Sequence, residues 1–511
     1  MLNRIRDGIS GLGGRISRFA GACRGNVAMM FAMTAIPLVG LVGAAIDYSN
    51  AYRVKERLQT AVDSAALAVA RDGADMSDAE IEELANKFFK AHFDPVDIGN
   101  VGEIQVSRND ATVELKVVGT VPTWLLPVIG VNQLSFGAET AVLTDNVTAE
   151  IALVLDNSGS MSGSKISSLR TAARKLVDTL YGPSEVNPNL SFSLVPFSSA
   201  VNVGTQYKNA SWIDGQGLSP LHSLEFSVPS NRFALYDRIT NVSWPGCVET
   251  RSYPMDVNDT APSVGNPETL FVPYFAPDEP DSGSYWNNYL SDATGSSDKS
   301  VRQKNVAKYA PGSFAQASAL GSSYGRGPAF LCNSQPIMAL TNNKTAVKAA
   351  IDSMEALGGT NITEGLVWGW RTLSPGEPFT QGLPYNEVSN RKVMILLTDG
   401  SNDWSDQSNH NKSYYAPYGY ITHGRLGITS GTKSQIVAKM NERLQEACTN
   451  VRNQNIRLYT ITFGSLDATT KDLMRNCATA PSLYFHAPST SEIEATFEAI
   501  ASDINNMRIV R

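Results

Sequence analysis

EIALVLDNSGSM, residues 150–161, decides the fold. The run from Ile151 to Leu155 is apolar without a break, as in a strand covered on both faces of a parallel sheet. A polar turn follows at once, and in an open α/β sheet the carboxyl end of such a strand is where ligands bind. Asp156, Ser158 and Ser160 alternate there, one carboxylate and two hydroxyls, all hard oxygens of the kind that suits Mg2+ or Mn2+. Two later segments reach the same rim: Gly358-Gly359-Thr360-Asn361 opens a helix and offers the Thr360 hydroxyl, and Leu397-Thr398-Asp399-Gly400 closes a strand and offers Asp399.

Outward from this stretch the pattern alternates strand and helix. Apolar strands are expected at Glu150 to Leu155, Leu190 to Pro196, Lys392 to Thr398 and Arg457 to Phe463. Helical spacing is found at Lys165 to Tyr181, Lys344 to Ala356, Lys433 to Asn453 and Ser491 to Met507. The fold class expected over 147–511 is α/β, a doubly wound, mostly parallel sheet. A large loop-rich insertion, about 200–336, is rich in Ser, Asn, Pro, Gly and Tyr and lacks long periodic elements.

Ahead of this domain, Val27 to Ile46 carries no charge and approaches the ~20 residues a helix needs to cross the hydrocarbon core. Before Asp47 the only acid is Asp7, whereas Arg4, Arg6, Arg15, Arg18 and Arg24 precede the run. The arginines orient it with the N-terminus in the cytoplasm and the rest of the chain exported. The expected layout is a basic cytoplasmic segment over 1–25, a transmembrane helix over 26–47 and a small α+β pilin-like region over 48–146. A cleaved signal peptide is the alternative, although its apolar core usually spans only ~7 to 15 residues. Leu2, Ile5, Ile9, Leu12, Ile16 and Phe19 are spaced as in a helix lying on a membrane surface, weakened by intervening glycines. Ala51, Val54, Leu58, Val62, Ala65 and Val69 continue helical spacing beyond the run. A helix near Ser77 to Ala91 follows, then strands at Glu103 to Val106, Thr112 to Val118 and Ser135 to Leu143.

The net charge of -7 argues against nucleic acid as a partner. Of five cysteines, Cys247, Cys332, Cys448 and Cys477 fall on the exported side, where an oxidising compartment lets them pair. Four cysteines allow three connectivities, and the sequence-neighbour pairs are expected. Cys23 is read as a structurally unimportant thiol. His92, His222, His410, His423 and His486 are scattered, HExxH is absent and Ser158 lacks a companion base in sequence, so no catalytic residues are expected.

DNSGSM, GGTN and LLTDG, in this order, strongly resemble the metal-ion-dependent adhesion site of the von Willebrand factor A family, over about Ala149 to Arg508 apart from the insertions. The resemblance implies direct ligation by Ser158, Ser160 and Thr360, with Asp156 and Asp399 acting largely through water and one position left for an acidic group of a protein partner. ACRGNVAMMFAMTAIPLVGLVGAAIDYSNAYRVKERLQTAVDSAALAVARD, beginning at Ala22, looks like the N-terminal segment of TadE/TadG-like proteins. The combination resembles the TadG-like components of Flp (tight adherence) pilus assembly. Met30 stands where a prepilin-peptidase substrate usually carries Glu, which argues against cleavage after Gly25. The function so implied is an inner-membrane-anchored periplasmic binding and scaffold protein rather than an enzyme. A secreted or surface-exposed adhesin released by signal cleavage is the alternative. Trp404, His410, Tyr414, Tyr415, Tyr418 and Tyr420, interleaved with Ser and Asn, read either as a specificity surface or as an insertion packed on its own domain.

Overall fold

The computed structural model describes residues 25–73, 76–93, 100–109, 112–143, 147–282, 284–292, 296–313 and 326–509. The expected surface helix over Leu2 to Phe19 and the thiol of Cys23 lie outside these residues. The chain divides into two compact units that meet in sequence at Asn146 and Val147.

In the N-terminal unit the apolar run and the amphipathic stretch are one helix, α1 (Gly25–Asp72). As the spacing beyond the run implied, the helix runs on unbroken into the charged stretch containing Arg53, Lys55, Glu56 and Arg57, but the expected transmembrane helix over 26–47 is not found among the described residues. Among the described residues no helix is long and apolar enough to cross a membrane. The second helix, α2 (Asp78–His92), is started by a capping box in which Ser77 and Glu80 satisfy each other's backbone amides. Strands β1 (Gln105–Asn109), β2 (Thr112–Pro122) and β3 (Gln133–Leu143) form an antiparallel sheet in that order. Alternation turns Val113, Leu115 and Val117 inward, where they share a core with Leu58, Val62, Ala65 and Val69 of α1 and Ile81, Ala85 and Phe89 of α2. The expected small α+β region is therefore present.

The C-terminal unit is built on a six-stranded sheet in the order β6-β5-β4-β7-β8-β9. The strands are β4 (Thr148–Asp156), β5 (Leu190–Phe197), β6 (Met338–Thr341), β7 (Asn390–Thr398), β8 (Arg457–Phe463) and β9 (Tyr484–Ala487). Pairing is parallel from β5 through β4, β7 and β8 to β9, and only β6 is antiparallel, so the sheet is mixed. β6 is four residues long, too short for its pattern to stand out in sequence.

Ile151, Leu153 and Leu155 face one core, Ala152 and Val154 the other. The first is closed by α3 (Ser164–Tyr181), α4 (Lys344–Asp352) and α8 (Ile493–Ile509). The second is closed by α5 (Ile362–Leu373), α6 (Lys433–Asn453) and α7 (Ala468–Cys477). The insertion, loop-rich as expected, packs its own aromatic residues onto this second core, with Phe271 against Trp368 of α5 at 4.8 Å between ring centroids. The expected disulfides are formed: Cys247–Cys332 closes a loop within the insertion, with a sequence separation of 85, and Cys448–Cys477 joins α6 to α7.

Helix α5 lies unusually close to the sheet. A Cβ on Gly369 would stand 2.3 Å from Cγ2 of Val154, and one on Gly365 would stand 2.5 Å from the Phe197 ring. Gly369→Ala should lower unfolding stability by about 1–3 kcal/mol through overpacking, against the gain in helix propensity, and the urea midpoint of the purified chain measures it.

Candidate functional site

Strand β4 delivers Asp156 to the carboxyl rim with its side chain fully buried. Its Oδ1 accepts the backbone N–H of Ser158 at 2.8 Å, which folds the turn back on the strand end, and its Oδ2 accepts the Thr398 hydroxyl at 2.7 Å. Thr398 and Asp399 end the neighbouring parallel strand, so the register of β4 and β7 brings the two carboxylates to one place. The hydroxyls of Ser158 and Ser160 lie 3.0 Å apart, and Ser160 donates to Oδ1 of Asp399 at 2.5 Å.

Thr360 comes from the turn between α4 and α5. Gly358, at φ 87°, takes the left-handed conformation there, and its carbonyl accepts the N–H of Gly159 at 2.9 Å. The turn is also fixed by Ser199 Oγ accepting from the N–H of Gly359 at 2.9 Å and by the Thr360 carbonyl accepting from the N–H of Asp403 at 2.8 Å. A Cβ added to Gly400 would lie 3.7 Å from both Ser160 Oγ and Thr360 Oγ1. Asp156, Ser158, Ser160, Thr360 and Asp399 are thus gathered from three separated segments onto one rim.

Asp399 is also ion-paired through Oδ2 with Lys165, from the first turn of α3. Sequence reasoning missed this cation, although its place five residues after Ser160, at the start of the following helix, is a usable signal. Burial, reinforced by the charge of Asp399, pushes Asp156 up to about 6. The rim is short of positive charge at neutral pH: two carboxylates share it and one ammonium pairs with the outer one. Among the described residues no group of three or more His, Cys, Asp or Glu side chains is placed to hold a metal. The gathered set has only two carboxylates, and its remaining donors are hydroxyls.

Beside the rim lies a cleft of about 240 Å³, whose lining includes Gly358, Gly359, Asp403, Trp404, Tyr414 and Tyr418. Trp404 and Tyr414 therefore do reach a concave surface next to the site. Tyr415, Tyr418 and Tyr420 are no more than 2% exposed, and their hydroxyls are engaged with Glu249, Asp256 and Glu279 of the insertion. These three pack on their own domain, because buried carboxylates need donors and the phenols supply them. Asp403, left unassigned by sequence, pairs with Lys433.

A mixed sheet with helices on both faces, an antiparallel edge strand and three polar motifs on one carboxyl rim make the C-terminal unit a three-layer α/β domain with a polar site at the strand ends. Residues 25–72, the span of α1, match the family model described as "Putative Flp pilus-assembly TadE/G-like". Similar solved structures include the pilus adhesin SpaC of Lactobacillus rhamnosus GG in its open conformation, at 13% identity and a TM-score of 0.33, covering 81% of this chain. The chain spans only 34% of that protein's length. The vWF domain of the type V pili tip protein Mfa5 of Porphyromonas gingivalis aligns at 10% identity over 72% of this chain and 97% of its own, with a TM-score of 0.33. The pilus adhesin RrgA of Streptococcus pneumoniae aligns at 11% identity over 80% of this chain and 49% of its own, with a TM-score of 0.35. These overlaps are too loose to carry residue roles across. No curated protein matches the chain.

The raised Asp156 value has a definite sign. Protonated Asp156 stabilises the fold fully below about pH 4, and that contribution is lost as pH rises through about 6. In chelator, stability should fall across this window by on the order of 3 kcal/mol from Asp156 alone. Urea titrations at a series of pH values should show a flatter profile for Asp156→Asn; an unchanged profile would place the titration elsewhere.

Proposed function

We infer that this chain is a pilus-assembly binding and scaffold protein acting outside the cytoplasm at the inner membrane, and that it grips an acidic side chain of a protein partner through a Mg2+ or Mn2+ ion. The observation that carries the reading is the convergence of Asp156, Ser158, Ser160, Thr360 and Asp399 on one rim of the sheet.

The residues fit such an ion. All the donors are hard oxygens, and burial, with the charge of Asp399 added to it, disfavours the Asp156 carboxylate that a cation would stabilise. Ser158, Ser160 and Thr360 would hold the ion directly, with Asp156 and Asp399 orienting them and acting through water. The Lys165 ion pair at Asp399 suits that outer role, since one carboxylate oxygen is already committed. A bound divalent ion supplies positive charge between the carboxylates and a coordination position for a partner's Asp or Glu. The reading is of binding rather than turnover, with the Ser158 hydroxyl set against the Ser160 hydroxyl and the Asp156 carboxylate as part of one oxygen-rich cluster. The match of residues 25–72 to a pilus-assembly family supports the cellular role, and the two disulfides support an extracytoplasmic location. A secreted adhesin is the second reading. Intact mass after cell fractionation separates the two, since the released form would lack residues 1 to about 45.

Thermal melting in Mg2+ or Mn2+ against chelator tests the site. A ligand that binds only the folded state, at ~100 times its dissociation constant, stabilises by roughly 2.7 kcal/mol. Metal should raise the midpoint of the parent chain and leave Thr360→Ala and Asp156→Ala unmoved. Equal responses in parent and variants would remove the metal from these residues.

A further inference from the structure

The N-terminal unit has a surface that the metal-site reading does not use. Residues 117–138 contain no charged side chain, and neither do residues 27–46. These two uncharged stretches come together in space. The turn that joins β2 to β3 carries a short 3-10 helix, Leu126–Ile129, and lies against α1 where α1 has glycine: a Cβ on Gly43 would stand 2.6 Å from Cβ of Leu125, and one on Gly40 3.4 Å from Ile129. Asp47 fixes the contact, accepting the backbone N–H groups of Trp124, Leu125 and Leu126 at 3.0, 3.0 and 2.9 Å.

This seat leaves large apolar side chains facing outward. Trp124 is 78% exposed, and Val128 and Ile129 are more than half exposed beside it. On α1 the exposed residues run from Met30, Phe31 and Met33 to Leu41 and Ile46. Exposed Tyr48 and Tyr52 come next, Tyr48 directly after the Asp47 that holds the Trp124 amide, and only then Arg53 and Lys55. The order along the helix is apolar, aromatic, charged, and the turn adds its tryptophan to the aromatic level. Trp and Tyr concentrate at the depth of the lipid headgroups, where an amphipathic ring meets both phases. Exposed large apolar side chains gathered from two uncharged stretches call for a nonaqueous partner.

We propose that the β2–β3 turn is a lipid-contacting element: Trp124 and Val128 seat in the headgroup region of a bilayer on the same side as the apolar face of α1, and Asp47 locks turn and helix as one surface. The proposal rests on the membrane location inferred above and is independent of the metal site. Because the turn has no charge, its lipid contact does not depend on anionic lipid or on salt.

The test uses the full chain reconstituted with phosphatidylcholine vesicles, plain or brominated near the headgroup end of the acyl chains. Trp124 is the only tryptophan before residue 147, so it is the emitter that reports on this unit. The chain should float with the vesicles at low and high salt alike, and brominated lipid should quench part of its tryptophan emission. W124F should abolish that quenching while flotation persists. V128D, at an exposed position that can take a charge without unfolding the unit, should reduce quenching severalfold at an unchanged melting midpoint. Flotation with no quenching attributable to Trp124 would overturn the turn's role and leave α1 as the contact. Failure to float would overturn both the turn and the membrane location.

Discussion

Everything at the rim of the C-terminal unit depends on two carboxylates withdrawn from water at the ends of adjacent parallel strands. Asp156 and Asp399 are buried, and a buried carboxylate persists only if its oxygens are met by donors. The donors come from all around: the Ser158 amide, the Thr398 and Ser160 hydroxyls and the Lys165 ammonium. Each donor fixes a piece of backbone, so the β4 turn, the end of β7 and the start of α3 are held by the same pair of charges. The Gly358 turn joins through backbone bonds to Gly159 and Asp403. A geometry so determined is preorganised, and its unfavourable part, two like charges in low dielectric, is what a cation would relieve.

The insertion obeys the same rule by other means. It is short of regular elements and rich in buried charge: Arg232 pairs with Glu249, and Lys308 with Asp278 at 2.9 Å. Tyr415 and Tyr420, from the strap after β7, complete these clusters with their hydroxyls. This segment, between β7 and α6, walls the cleft beside the rim with Trp404 and Tyr414 and is anchored among the insertion's carboxylates by Tyr415 and Tyr420. Buried ion pairs are weak evidence for stability, but removing one partner strands the other, which makes the strap costly to displace.

The sequence made the rim legible because its chemistry is local: each of three short motifs carries its oxygen donors within a few residues of a strand or helix end. Four of the six strands were legible as long apolar runs. β6 and β9, four residues each, were not, because so short a run shows no periodicity of its own. Lys165 carried only a positional signal, and its partner Asp399, distant in sequence, is met when α3 folds against the end of β7. The tyrosines of the strap could be read two ways because composition reports which residues suit a binding loop, not whether buried carboxylates elsewhere have already taken their hydroxyls. The apolar run before Asp47 and its continuation as an amphipathic helix were both legible, because Ala51, Val54, Leu58, Val62, Ala65 and Val69 keep the helical period through the charged stretch.

Asp47 shows how far a flanking charge can depart from its simplest reading. In sequence it marks the end of an apolar run and the start of water. In the fold it is 5% exposed and caps a turn drawn from nearly eighty residues further along the chain. The turn reaches it only because Gly40 and Gly43 leave α1 without side chains on that face, at a cost in helix propensity of about 1 kcal/mol each. Three amide hydrogen bonds to one carboxylate offset that cost, since bonds to a charged acceptor are the stronger kind. Glycine inside a helix and an acid at its apolar boundary, each unfavourable alone, become favourable together when a second chain segment must sit flush against the first.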